Sequence, residues 1–167
     1  MGTLWRPAYV AIGSNLGSPR ERVLEAMERL GVLGAPDSLL RSPLYISRPM
    51  GPQDQPDFIN AAVGFLTQES PQELLGKLLD IERSMGRIRG ERWGPRVIDL
   101  DLVWMVDAPV DEAGLKVPHP GVSIRNFVLY PLDEIAPTLK VPAHGMVADL
   151  KARVSGDGIF VLEEPEA

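Results

Sequence analysis

The chain has 167 residues, no cysteine, a hydrophobic share of 44% and a formal charge of −6. That length suits one domain with a proper core, and the missing cysteines exclude disulfides and thiolate metal sites. Net acidity argues against a general nucleic-acid or membrane-surface binder. No segment approaches the roughly 20 apolar residues of a membrane span, and no basic region precedes a long apolar run, so the chain reads as soluble and cytoplasmic.

Ala8 to Ile12 is a short apolar run between Pro7 and Gly13, and it predicts a buried first strand. The turn G-S-N-L-G (Gly13 to Gly17) ends it; that turn lacks the spacing and the Lys-Ser/Thr ending of a Walker A loop. Ser18-Pro19-Arg20-Glu21 supplies an N-cap, a proline at the first helical position and an early glutamate. Val23, Leu24, Met27 and Leu30 follow at helical spacing, with Gly31 as the expected stop. A second strand is expected near Leu39 to Ser47, and then a proline-rich polar loop from Arg48 to Asp57. Phe58 to Thr67 predicts a third strand. Ser70-Pro71-Gln72-Glu73 repeats the capping signal for a helix through Met85, closed by Gly86.

Next comes the stretch that carries the chemistry, Arg87 to Val106. Five of the 17 basic residues lie between Arg83 and Arg96, in or beside a Gly/Pro-punctuated loop. Asp99 and Asp101 then alternate along a strand with Ile98, Leu100, Leu102 and Trp104, so they share a face, with Val97, Val103 and Met105 assigned to that same side. At a rise of about 3.3 Å per residue the two acids stand roughly 6 to 7 Å apart. They read either as the solvated face of a strand or as ligands for hard cations; arginines beside paired carboxylates suggest a phosphate held between guanidinium groups and Mg²⁺. Glu82, in the last turn of the second helix, reads either as a surface acid paired with Arg83 or as a group that orients arginines or a ligand. Trp93 reads as a packing anchor or a base-stacking ring. Phe58 and Phe127 are core residues or the two walls of a slot for a planar ligand, whose edge Asn60 would read. His119, held between prolines, could hydrogen-bond a phosphate.

The element order is βαββαβ, the ferredoxin-like α+β pattern: an antiparallel sheet with both helices on one face and the other face free for a site or further layers. After Val106 a turn leads to Val117-Pro118-His119-Pro120 and a short apolar segment, Phe127 to Leu132. Beyond Pro137 a short helix (Val147 to Val154) and a strand-like Ile159 to Leu162 are expected, with no chemistry assigned. A single domain is expected over 1–167, with its core at about 8–137 and a C-terminal extension at 138–167.

R-W-G-P-R-V-I-D-L-D-L-V (Arg92 to Val103), with A-I-G-S-N-L-G (Ala11 to Gly17), G-P-Q-D-Q-P-D-F-I-N-A-A-V (Gly51 to Val63) and V-P-H-P (Val117 to Pro120), resembles the 6-hydroxymethyl-7,8-dihydropterin pyrophosphokinases of folate synthesis. The resemblance runs from about Tyr9 to Pro137. It implies transfer of the β,γ-diphosphoryl unit of ATP to the pterin hydroxymethyl oxygen, with two Mg²⁺ ions on Asp99 and Asp101. It also implies Arg87 and Arg96 beside the phosphates, and Glu82, Arg89, Arg92, Trp93, Ile98, Lys116, His119 and Arg125 on the ATP side. Arg89, Arg92 and Trp93 match a loop that closes over ATP. The pterin is expected between Phe58 and Phe127, its edge read by Asn60 and by groups near Ser47 and Met50. A monomer with small-molecule partners only is implied.

This chain departs from the family pattern in four places. Phe58 stands where Tyr is frequent, Pro120 where an aromatic is found, and Gly114 where some members have Arg; the arginine loop is one residue shorter. Two rival readings are another Mg²⁺-dependent phosphoryl or nucleotidyl transferase on the same strand, and a non-enzymatic ferredoxin-like module that binds RNA or a regulatory ligand.

Overall fold

A computed structural model of the chain describes residues 4–49, 54–86 and 97–162. The elements, in order, are β1 (Arg6–Ser14), α1 (Pro19–Leu33), β2 (Leu40–Arg41), β3 (Tyr45–Ser47), β4 (Phe58–Thr67), α2 (Pro71–Ser84) and β5 (Asp99–Met105). They continue with β6 (Val110–Glu112), β7 (Leu115–Val117), α3 (Asn126–Ile135), β8 (Lys140–Val141), β9 (Gly145–Met146), α4 (Val147–Arg153) and β10 (Ile159–Val161). The main sheet has the order β10-β3-β4-β1-β5, with β2 also paired to β4, and its pairs are antiparallel. The ferredoxin-like α+β architecture expected from the element order is therefore present.

Alternation along β1 and β4 decides which face carries what. Ala8, Val10 and Ile12 pair across from Phe65, Val63 and Ala61, and all six are buried. On them lies the apolar stripe of α1 (Val23, Ala26, Met27, Leu30), while that of α2 (Leu74, Leu78, Ile81) packs against β5. The opposite face presents Tyr9, Ala11 and Gly13 across from Gly64, Ala62 and Asn60. Tyr45, opposite Asn60, sends its hydroxyl to Glu134 Oε1 of α3 at 2.6 Å, so α3 covers the part of this face away from Asp99; α4 packs on α3. No helix among the described residues is long and apolar enough to cross a membrane.

Several sequence expectations are corrected. α1 runs through Gly31 and stops at Gly34, where a Cβ would stand 2.9 Å from Phe65 Cβ and 3.0 Å from Leu66 O; a glycine is needed for that close approach. The expected strand at Leu39–Ser47 is two short strands separated around Pro43. The apolar segment from Phe127 is a helix, despite an internal Pro131 and no side-chain cap. The strand expected at Ile159 to Leu162 is present as β10, and it extends the main sheet beyond β3. In β5 the pairing with β1 shifts by one residue: Leu102 lies opposite Val10, but Trp104 lies opposite Tyr9 and Met105 opposite Ala8. This bulge at Val103 flips the alternation, so Trp104 joins the face of Asp99 and Asp101 and Met105 leaves it.

The two similar capping signals have different outcomes. Ser70 and Glu73 form a reciprocal capping box, whereas Ser18 makes no side-chain cap bond. Ser70→Ala is expected to cost about 1 kcal/mol and Ser18→Ala only a few tenths, measured by urea unfolding; equal losses would contradict the assignment.

Candidate active site

The two acids stand on the edge strand β5 over a floor of small residues: Asp99 is opposite Gly13, and Asp101 opposite Ala11. One strand further on, Asn60 lies opposite Gly13 and Ala62 opposite Ala11. A row therefore crosses one face of the sheet from Asp99 through Gly13 to Asn60, spanning two strand spacings, or about 10 Å. Gly13 is the open middle of that row. A Cβ there would stand 3.3 Å from Asn60 Oδ1 and 3.8 Å from Phe58 Cδ1.

At the acid end the charges are crowded. Asp101 is pushed up to about 7, first by burial, then by the Asp99 charge, with Glu82 adding to the effect and Arg125 opposing it. The Asp99 charge adds to the cost of ionising Asp101, and a divalent cation removes the conflict. This oxygen donor set fits Mg²⁺, which keeps several waters and binds through one or two carboxylates plus phosphates. Among the described residues no group of three or more His, Cys, Asp or Glu is arranged to hold a metal ion.

Glu82 is not a surface acid. It is 2% exposed, and its Oε2 accepts the Leu100 backbone N–H at 2.8 Å, while Arg83 pairs instead with Asp80 at 2.9 Å. Leu100 sits between the two aspartates on the outer edge of the sheet, so Glu82 satisfies an edge amide that β1 does not take. His119 is tied to the same strand: its backbone N–H donates to Val103 O at 2.8 Å, beside the bulge. Its Nδ1 accepts from the Gly121 N–H at 3.0 Å, which leaves Nε2 to carry the proton of the neutral ring. Burial and the Arg125 charge lower its pKa, with Asp99 pulling the other way. Arg125 reaches from this cluster to the far wall, with its guanidinium carbon 5.8 Å from the Phe127 ring centroid.

At the other end of the row Asn60 Nδ2 donates to Ser47 Oγ at 2.5 Å, and both residues are buried. Phe58, opposite Ser47, and Phe127, at the start of α3, are half-buried. Ser47 and Phe127 also line a cleft of about 320 Å³.

The expected residues thus divide into three groups. Asp99, Asp101, Glu82, His119 and Arg125 share one electrostatic cluster; Ser47, Phe58 and Asn60 gather across β3 and β4. Lys116 is apart on β7, where it is exposed and paired with Asp111 across the β6–β7 hairpin at 2.5 Å. Gly114 forms that hairpin's turn at φ +82, a conformation that favours glycine. The Ile98 side chain is fully buried in the core. Arg87, Arg89, Arg92, Trp93, Arg96 and Met50 lie outside the described residues.

Two residues read only as part of a turn have clear structural work. Ser14 Oγ donates to Val97 O at 2.5 Å, and Asn15 Nδ2 donates to Gln55 Oε1 and Pro56 O, both at 2.9 Å. Polar side chains directly after an apolar strand were the signal for them. They hold the segments that lead into Asp99 and Phe58.

The family model described as 7,8-dihydro-6-hydroxymethylpterin-pyrophosphokinase (HPPK) matches residues 9–137. A Pseudomonas aeruginosa protein named 2-amino-4-hydroxy-6-hydroxymethyldihydropteridine pyrophosphokinase is 43% identical over 151 residues, covering 90% of this chain and 93% of its own. A Haemophilus influenzae protein of the same name is 39% identical over 143 residues, covering 86% and 89%. Among solved structures, Plasmodium falciparum HPPK-DHPS with pteroate superposes with a TM-score of 0.70 at 14% identity, which speaks for the fold alone. That match covers 92% of this chain and 43% of the Plasmodium chain. The chain, with its paired aspartates, buried Asn60–Ser47 contact and matched span, belongs to the 7,8-dihydro-6-hydroxymethylpterin-pyrophosphokinase family.

Proposed function

We infer that the chain transfers the β,γ-diphosphoryl unit of ATP to the hydroxymethyl oxygen of 6-hydroxymethyl-7,8-dihydropterin, a step of folate biosynthesis, as the names of its relatives indicate. The observation that carries the reading is the single row on one sheet face, with Asp99 and Asp101 at one end and Asn60 with Ser47 at the other. Its span of about 10 Å accommodates a pterin ring whose 6-substituent points at the acids. The pterin hydroxyl oxygen attacks the β-phosphorus and the bond from that phosphorus to the α,β-bridging oxygen breaks. AMP leaves with the bridging oxygen, and the hydroxyl proton is released.

Phe58 and Phe127 sandwich the ring. Asn60, whose amide N–H is committed to Ser47, offers its carbonyl oxygen to a ring donor, and groups at Met50 complete the edge. Asp99 and Asp101 hold two Mg²⁺ ions, which when bound neutralise the triphosphate and polarise its phosphoryl groups. Arg87, Arg96 and Arg125 line the phosphates, and His119 donates from Nε2. Arg89, Arg92, Trp93 and the Ile98 backbone contact ATP, Lys116 meets it by exchanging Asp111 for a phosphate, and Glu82 acts by holding the strand between the two aspartates. Such a site works mainly by positioning and electrostatic stabilisation. The net charge of −6 supports a protein without nucleic-acid or membrane partners, and we extend the reading to a monomeric, single-domain, cytoplasmic enzyme.

The test is an assay for AMP with ATP, Mg²⁺ and the reduced pterin, run beside controls lacking one component. AMP is expected only with all three; ADP, or AMP formed without the pterin, would overturn the reading. Asp101→Asn keeps the volume and removes a repulsive charge. Turnover should fall by at least about 10³-fold, while the metal-free protein should melt at the same temperature or about 1 to 3 °C higher. A variant with near wild-type turnover would refute the metal assignment. Glu82→Ala strands the buried Leu100 N–H and is expected to lose about 1 to 3 kcal/mol in urea unfolding, with Glu82→Gln losing less because it keeps an acceptor.

A further inference from the structure

The C-terminal segment has no part in the reaction as described, yet it touches both sides of the pterin slot. Asn126 lies between Arg125 and Phe127 at the first position of α3. Its Nδ2 donates to Ser155 O at 2.9 Å and to Asp157 O at 3.2 Å, so both amide hydrogens are engaged by one turn. The far side of that turn is tied to the opposite wall: the Arg48 N–H donates to Gly158 O at 3.0 Å, and Ile159 pairs with Ser47. The turn has little freedom to shift. A Cβ at Gly156 would stand 2.6 Å from Tyr130 Oη, and Gly158 has φ +76.

We propose that Asn126 is a positioning residue: by clamping the 155–158 turn to the start of α3, it fixes Phe127 relative to Ser47 and so sets the width of the slot that receives the pterin ring. This rests on the functional reading above. A planar ring between two aromatic walls requires those walls about 7 Å apart, twice a carbon–carbon contact distance, and a gap of only 0.5 to 1 Å forfeits roughly a quarter to a half of the attraction. A small relaxation of Phe127 is therefore felt directly in pterin affinity. ATP, bound towards Asp99 and Asp101, is affected far less.

The experiment compares the wild type with Asn126→Ala, Asn126→Asp and Gly156→Ala. KM is measured separately for pterin and ATP, equilibrium pterin binding is followed by pterin fluorescence with Mg²⁺ and a non-hydrolysable ATP analogue, and melting temperatures are recorded. Asn126→Asp is nearly isosteric but turns a carboxylate towards two carbonyl oxygens; Gly156→Ala disturbs the same turn from the Tyr130 side. The expected result is a rise of about five- to tenfold in KM and Kd for the pterin, consistent with losing one hydrogen-bonded tie. KM for ATP should rise by a clearly smaller factor, since Arg125 adjoins Asn126 but Asp99, Asp101 and His119 are held on or beside β5. Asn126→Asp should be affected at least as strongly as Asn126→Ala. Unchanged pterin affinity in the Asn126 variants, or equal weakening of both substrates, would overturn the positioning role. A wild type that forms no pterin-dependent AMP would instead sink the functional reading itself.

Discussion

Two carboxylates side by side on an edge strand are the constraint around which the structure is arranged. Asp99 and Asp101 are close enough that the charge of one raises the pKa of the other, and burial adds to that effect. The surrounding residues accommodate them. Gly13 and Ala11 beneath them contribute almost no side-chain bulk, Glu82 takes the edge amide between them, and Arg125 supplies positive charge. Two neighbouring carboxylates, one of them pushed up by burial, are poorly explained as a structural device, because an apolar pair would be more stable there. It is well explained by a cation and a polyphosphate that arrive together.

The fold gives such a site somewhere to be. Both helices of the βαββαβ unit cover one face of the sheet, and α3 covers only part of the other. Among the described residues, what remains uncovered is the end of β1, with β5 on one side and β4 and β3 on the other. Substrates with different chemistry can therefore be held on neighbouring strands of one rigid sheet, which is more precise than assembling them from loops. The loops are secured to that sheet in turn, through Ser14 to Val97, Asn15 to Gln55 and Pro56, and His119 to Val103.

Much of this was legible in the sequence, for identifiable reasons. The strand character of Phe58 to Thr67 gave the bounds of β4, and the shared face of Asp99 and Asp101 followed from their spacing alone. The alternation failed beyond Leu102 because one unpaired residue, Val103, reverses every side chain after it, and a bulge leaves no signature in hydrophobicity. Glu82 looked like a surface acid in a charged helix end, since its partner, the Leu100 amide, is brought to it by tertiary packing. α3 was obscured by Pro131 and by the lack of a capping side chain. The place of β10 beside β3 was invisible for a simpler reason: strand pairing across more than a hundred residues is not written in either segment.

The most direct measurement of the central claim is the anomalous scattering of Mn²⁺ in crystals grown with a non-hydrolysable ATP analogue and the pterin. Metal peaks are expected within coordination distance of both Asp99 and Asp101, bridged to the triphosphate, with the pterin ring on the Asn60 side of Gly13. Metal bound elsewhere, with the two carboxylates unligated while both substrates are in place, would contradict it.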